Sequence, residues 1–367
     1  MILFDVDITK NNLPLLIMRI LLISPLPPPN GGDAIWSKKI LGYLTTLQLN
    51  VAHVNTSIIG KRAIVLGNRI FLINEFVRSC HIWYSTINKI IKFKPDVVHF
   101  NSNCSPRGIF RDFVTLCIVK IANIPLVMHC HCNVCDSIGK SVVSIALLKW
   151  SLRLASEVLV LNTKSEDYVN SLKENGCKIL PNFIEEANVV EEKVILNDVA
   201  DIVFVGHMVK TKGIFEFVEV ARRFPNIRFT MAGLMTADMK DVILPNNIEL
   251  IGDVKNTKVF ELLDCADIFL FPTYTEGFSI ALLEAMSRGL PIITTPVGSN
   301  KEMLEGSGGI IVPVGDIDGI CDAIVQLKCP AIRREISQWN IVKVRNHYTS
   351  STVVKRLMDL YRLLIRH

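Results

Sequence analysis

The stretch IFLFPTYTEGFSIALLEAMSRGLPIITTP, residues 268–296, reads as one strand, helix, strand unit, and it decides the fold class. IFLFPT (268–273) is short, apolar and aromatic, as a strand covered on both faces must be. A helix follows from about Ser279 to Arg288, closed by Gly289, with Pro291 just beyond to stop it. PIITTP (291–296) is the next strand. Outward from this unit the same alternation recurs: β-branched apolar runs separated by longer segments of helical period, the pattern of a parallel sheet clothed by helices. In the first half, strands read at 19–24, 51–56, 96–101, 125–131, 157–162 and 178–182. In the second half they read at 201–206, 227–233, 248–252, 268–273, 291–296 and 309–313.

Each half is therefore a βα array, and the expected class is α/β with two Rossmann-like domains facing across a cleft. At 367 residues the chain is too long for one comfortable core and suits two. EEANVVEEKVILND (185–198) is acidic and without clear period, which marks the boundary. The expected division is an extension over 1–17, a first domain over 18–184, a linker over 185–199, a second domain over 200–332, and helices over 333–367 that pack back on the first domain. In the last of these, Val354, Leu357, Met358, Tyr361 and Leu364 share one face.

Composition narrows the function classes. Hydrophobic residues make up 50% of the chain and charged residues 20%, so two cores are easily filled and widespread disorder is excluded. The mean hydropathy of +0.36 raises the question of membranes. LPLLIMRILLIS (13–24) is cut by Arg19 and runs into PLPPPNGG, which fits a buried strand better than a span. It also lacks the features of a secretory signal, so a cytoplasmic location is expected. The ten cysteines are scattered, and free thiols are expected. A net charge of +5 without a long basic run gives no nucleic-acid signature.

The chemistry concentrates where the opening unit turns. In a doubly wound domain, ligands bind beyond the carboxyl ends of the strands, so the loop carrying Glu276 and the first turns of the next helix face the cleft. The helix N-terminus at Gly277, Phe278 and Ser279 offers free amides and a positive dipole end, suited to a diphosphate. A carboxylate there accepts hydrogen bonds from sugar or ribose hydroxyls. Glu284, eight positions after Glu276 with seven residues between and wedged between Leu283 and Ala285, is an expensive charge to bury without such partners.

EGFSIALLEAMSRGLPIITTPVG resembles the Glu, seven residues, Glu signature of family 4 of the retaining glycosyltransferases, the glycosyl transferases group 1, and the similarity extends over nearly the whole chain. The resemblance implies the fold called GT-B. FVGHMVKTKG (204–213) resembles the family's phosphate loop: Lys212 and Gly213 match, whereas His207 stands where the family usually has Arg, and an imidazole holds a diphosphate less firmly than a guanidinium. LPPPNGGDAIW (26–36) resembles the donor-facing glycine loop, with Gly31 and Gly32 letting backbone approach a ligand or adopt dihedrals closed to other residues. IPLVMHCHCN (124–133) resembles the strand ending in a histidine near the transferred sugar, with His131 the matching residue. PNFI, within ILPNFIEE (179–186), matches the turn that closes the first domain.

The resemblance implies transfer of a hexosyl unit from a nucleotide-sugar donor, UDP- or GDP-linked, to a saccharide or lipid-linked saccharide in cell-surface polysaccharide synthesis, with retention. Glu276 and His131 are the expected catalytic residues. Lys212, His207, Gly31, Gly32 and the helix N-terminus would hold the donor phosphates, and Glu284 the ribose. No cofactor and no metal are expected: no Asp-x-Asp stands in a suitable loop, and Cys130, Cys132 and Cys135 with His129 make only half of a zinc site. A sugar-nucleotide epimerase and a catalytically silent partner subunit are the alternatives. SVVSIALLKWSLRLA (141–155), with Lys149, Trp150 and Arg153, reads either as an ordinary core helix or as a peripheral contact with the inner face of a membrane.

Overall fold

Val, Ile, Leu and Phe crowd the twelve strands because both faces of a parallel sheet are covered by helices and neither meets water. The computed structural model of the protein describes residues 18–28, 31–57, 68–174 and 176–366; the extension expected over 1–17 lies outside them. The first sheet contains β1 (Arg19–Ser24), β2 (Asn50–Asn55), β3 (Val97–Ser102), β4 (Leu126–Cys130), β5 (Glu157–Val160) and β6 (Lys178–Ile179), all parallel, in the order β2-β1-β3-β4-β5-β6. The second contains β7 (Asp201–Val205), β8 (Arg228–Ala232), β9 (Ile248–Gly252), β10 (Ile268–Phe271), β11 (Ile292–Thr294) and β12 (Gly309–Ile311), also parallel, in the order β12-β11-β10-β7-β8-β9. Every expected strand is present: β1 and β9 have the expected bounds, β2 and β3 are shifted by one residue, and the others are one to three residues shorter, where Pro, Gly or polar residues leave the ladder.

In the first domain the helices are α1 (Gly32–Thr46), α2 (Asn68–Phe93), α3 (Ile109–Ile121), α4 (Val134–Ser137), α5 (Val142–Leu154) and α6 (Thr163–Leu172). Ile82, Leu116, Leu148 and Val169 bring α2, α3, α5 and α6 onto one face of the first sheet, while Trp36, Ile40 and Leu44 of α1 cover the other. The second domain adds α7 (Ile214–Arg223), α8 (Asn256–Cys265), α9 (Ile280–Ser287), α10 (Asn300–Leu304) and α11 (Ile317–Gln326) around a core of its own.

Two long helices end the chain, α12 (Pro330–His347) and α13 (Ser350–Ile365). The packing separates them. α12 stays with the second domain, where buried Arg333 donates to the main-chain oxygens of Leu196 and Asn197 and Asn340 donates to those of Leu290 and Gly308. Only α13 crosses back, laying Val354, Leu357, Met358 and Tyr361 against Ile20, Leu22 and Trp36 of the first. The chain therefore passes between domains twice, and the passages are stitched together: Ile184 N donates to Tyr348 O, Ser350 N donates to Ile184 O, and Glu186 accepts from the amide of Ser351. The residues read as a linker are strapped to the second domain, with Val190 N donating to Ser287 O and Lys193 Nζ to Asp264 O.

Candidate active site

In each sheet the strand order reverses once, between β1 and β3 in the first and between β10 and β7 in the second, and loops diverging at such a point leave a crevice. Lys212 follows β7 and Glu276 follows β10, so the reversal in the second sheet brings them together although 64 residues separate them. Lys212 Nζ lies 2.5 Å from Glu276 Oε1. Both side chains are largely buried. Burial pushes the Glu276 carboxyl above its usual range, and the charge and hydrogen bond of Lys212 pull it back. The close approach needs Gly213, which has a φ of +76°; a Cβ there would stand 2.1 Å from the main-chain oxygen of Pro272, at the end of β10.

α9 begins as the sequence indicates. Ser279 is its N-cap and its hydroxyl accepts from the amide of Leu282 at 3.2 Å, while Gly289 takes a left-handed φ of +68° after the last turn. Phe278 turns its ring into the second core against Tyr348, so only its main chain is left for a ligand. Glu284 is 6% exposed and faces the cleft. Burial raises its carboxyl above the usual range, opposed first by the charge of Lys39, which reaches across from α1, and then by a hydrogen bond from Asn256.

A cleft of about 1040 Å³ runs between the domains, with Gly206, His207, Gly233, Lys255 and Glu284 on one side and Ile35, Lys39 and Tyr43 on the other. Ile280 and Ala281, from the first turn of α9, line it as well. His207 is exposed at its edge, and Lys210 lies exposed on the turn leading to Lys212. Gly31 and Gly32 stand at the start of α1, but neither uses the dihedral freedom expected of it. Gly31 is extended at φ −97° and Gly32 is helical. What Gly32 provides is proximity, since a Cβ there would lie 3.7 Å from Ile280 of the facing domain.

His131 lies just past β4, its amide bonded to Ser102 O. Its ring sits among Trp36, at 4.7 Å between centroids, and His129, at 3.9 Å. Neither ring nitrogen has a hydrogen-bond partner among the described residues. Burial, reinforced by His99, drops its pKa to about 3, so it is a neutral imidazole at any physiological pH. Behind it His99 is also lowered to about 3 by burial, and its Nδ1 is 2.7 Å from the Tyr361 hydroxyl of α13.

The structure thus joins Lys212 to Glu276, sets Glu284 and His207 along one cleft, and brings Gly277 against the loop after β4: a Cβ on Gly277 would stand 3.0 Å from Cys132. Lys39, Trp36, His99 and Asn162 were not legible as site residues. Their partners lie on other elements, and no local spacing announces them. Among the described residues no group of three or more His, Cys, Asp or Glu is placed to hold a metal ion, and the ten cysteines are free. No described helix is long and apolar enough to cross a membrane.

Residues 200–328 match the model of the family described as glycosyl transferases group 1. The capsular polysaccharide biosynthesis glycosyltransferase CapM of Staphylococcus aureus is 27% identical over 231 residues, 58% of this chain and 60% of that protein. The UDP-Gal:alpha-D-GlcNAc-diphosphoundecaprenol alpha-1,3-galactosyltransferase of Escherichia coli is 25% identical over 309 residues, 74% of this chain and 76% of that protein. The chain spans 60%, 59% and 49% of the length of three curated relatives it matches. Among solved structures, sucrose-phosphate synthase (tll1590) from Thermosynechococcus elongatus superimposes with a TM-score of 0.76 at 16% identity, covering 95% of this chain and 99% of that one. At such identity the likeness speaks to the fold, which is GT-B: two Rossmann-like domains across a cleft.

Proposed function

We propose, from the premise that residues 200–328 belong to the glycosyl transferases group 1 family, that the chain transfers a hexosyl unit from a UDP- or GDP-sugar to a hydroxyl of a saccharide or lipid-linked saccharide, with retention. The observation that carries this reading is the buried pair of Lys212 and Glu276 at the reversal of the second sheet, beside the N-terminus of α9. A lysine, a helix N-terminus and a carboxylate in one place match a diphosphate joined to a hydroxylated sugar. The names of the relatives add a capsular polysaccharide pathway in one case and a UDP-sugar with a lipid-linked acceptor in the other. Residence at a membrane surface follows for this chain if its acceptor is of that second kind.

In this mechanism the diphosphate draws Lys212 away from Glu276, and the freed carboxylate turns to the hydroxyls of the donor sugar. Glu284 holds the ribose, its acceptor strength maintained by Lys39 and Asn256. The bond between the anomeric carbon and the diphosphate oxygen breaks while the acceptor oxygen bonds to the same carbon from the same face. The acceptor proton passes to the departing oxygen. Lys212 and the amides of α9 stabilise the charge that gathers there, in the place a metal ion takes elsewhere. His131, its ring packed on Trp36 and both ring nitrogens buried, helps position sugar or acceptor from behind the cleft wall and carries no net charge into the site.

Thermal stabilisation by a panel of UDP- and GDP-sugars, followed by turnover with saccharide and lipid-linked acceptors, tests the reading. Lys212→Ala and Glu276→Ala are each expected to lower turnover about a hundredfold or more. Wild-type turnover in both variants overturns the site assignment, and donor binding without turnover on any acceptor favours the silent-subunit alternative.

A further inference from the structure

α2, α3 and α5 cover one face of the first sheet side by side, α2 against α3 and α3 against α5. As crossover helices of a parallel sheet they run in the same direction, so their last turns line up in a row. α2 is apolar on two sides. Ile82 points into the core, while Phe76, Tyr84 and Ile91 point outward, Tyr84 with 70% of its surface exposed. The same happens on its neighbours, where Phe110 and Ile121 of α3 and Trp150 of α5 are exposed, Ile121 to 85%. A helix apolar on both sides is normally covered on both. In the second domain the exposed apolar residues are spread over many elements, such as Phe215 of α7, Val325 of α11 and Val342 of α12, with at most two neighbours together, as at Leu234 and Met235.

Charge follows the same boundary. Residues 68–154 hold eleven Lys and Arg against four Asp and Glu, more than the whole chain's surplus of +5, so the remainder of the protein is slightly acidic. The four acids are already engaged: Glu75 with Arg78, Asp96 with Arg19, Asp112 with Arg111 and Asp136 with Lys164. At the helix ends a lysine adjoins each outward apolar residue, in the pairs Ile91–Lys92, Lys120–Ile121 and Lys149–Trp150, and none of these lysines is in an ion pair among the described residues. Arg153 adds a cation 5.4 Å from the Trp150 ring centroid.

We propose that this outer face of α2, α3 and α5 docks on an anionic lipid bilayer. Its purpose rests on the reading of the chain as a transferase with a lipid-linked acceptor; its observations do not. Apolar rings beside lysines suit a headgroup boundary, where the rings sink and the ammonium groups stay with lipid phosphates. A protein partner would favour the opposite composition, because the centre of such an interface is depleted of lysine.

Flotation of the full chain with phosphatidylcholine vesicles, with and without phosphatidylglycerol, tests this. The protein should float with the anionic vesicles, remain behind with the neutral ones, and be released by salt. Two triple variants are informative: Lys92→Glu with Lys120→Glu and Lys149→Glu, and Tyr84→Ser with Ile91→Ser and Trp150→Ser. Partitioning should fall about fivefold for each lysine reversed and about tenfold or more in the apolar variant, with the donor-induced thermal shift retained as proof of folding. The proposal fails if wild type ignores anionic vesicles, if both folded variants float like wild type, or if the apolar variant turns a dimer into a monomer without changing flotation. Turnover of a water-soluble acceptor is measured alongside, so loss of the docking face and loss of the transferase reading give different results.

Discussion

Asn162 of the first domain donates from Nδ2 to the main-chain oxygen of Gly277 in the second, at 2.9 Å, while its Oδ1 caps α6 by accepting from the amide of Ser165 at 2.8 Å. One fully buried side chain thus starts a helix in one domain and fixes the loop that leads into α9 of the other. The two roles separate by substitution. Asn162→Asp keeps the acceptor and loses the donor; Asn162→Ala loses both. The alanine variant should lose about 1 kcal/mol for the cap alone and the aspartate variant less, yet both should lose turnover by about tenfold as the Gly277 loop is released. Thermal unfolding beside turnover distinguishes them, and an aspartate variant with full activity would remove Gly277 from this account.

Glu284 is held at a cost in stability. A carboxyl whose folded pKa lies above its unfolded value binds protons more readily when folded, so its penalty is absent in acid and grows as pH rises from the ordinary value of 4.5 through the raised one. Glu284→Gln is therefore expected to stabilise the protein at neutral pH by about 1 kcal/mol, with the gain vanishing as pH falls below 4.5. Donor affinity should fall about tenfold or more, because a hydrogen bond to a charged acceptor becomes one to a neutral amide. Urea unfolding at two pH values and donor titration check both halves.

The buried histidines act with the opposite sign. His99 and His131 titrate at about 3 when folded and at 6.5 otherwise, so the unfolded chain takes up their protons first. Stability contributed by keeping them neutral is complete above 6.5 and drains as pH falls toward 3. Each removes about 1.4 kcal/mol per pH unit once pH is well under 6.5. His99→Gln should flatten the acid side of a plot of unfolding midpoint against pH. An unchanged slope would show that these rings are not the acid-labile element. A pH profile of turnover should also lack any limb near 6.5 belonging to His131.

Gly213→Ala places a methyl where the Pro272 oxygen already stands, at a φ of +76°. Strain and clash together should destabilise by about 2–4 kcal/mol and move Lys212 away from Glu276. Gly42→Ala, in α1 and open to space within 4 Å, is the control and should be neutral or slightly stabilising. Equal effects at the two positions would contradict the geometry at Lys212.

Hydrophobic periodicity was enough to locate every strand and to divide the chain into two βα arrays, because strand burial on both faces leaves a local signature in each short segment. Ser279 and Gly289 as the limits of α9 were legible for the same reason: caps depend on neighbours in the chain. In the candidate site, Glu276 and Glu284 could be read from one local segment, and Lys212, His207, Gly31, Gly32 and His131 were named through resemblance, but which of these residues meet was not readable. The rest is long-range. Lys212 meets Glu276 because β7 and β10 are adjacent although two strands intervene in sequence, Lys39 faces Glu284 from another domain, and α12 and α13, both helical in pattern, go to different domains because Arg333 and Asn340 are buried on one side and Tyr361 on the other. Local pattern sets which elements form. Which of them touch is decided by the strand order and by the two passages between domains, and these depend on the total surface buried once the whole chain is assembled.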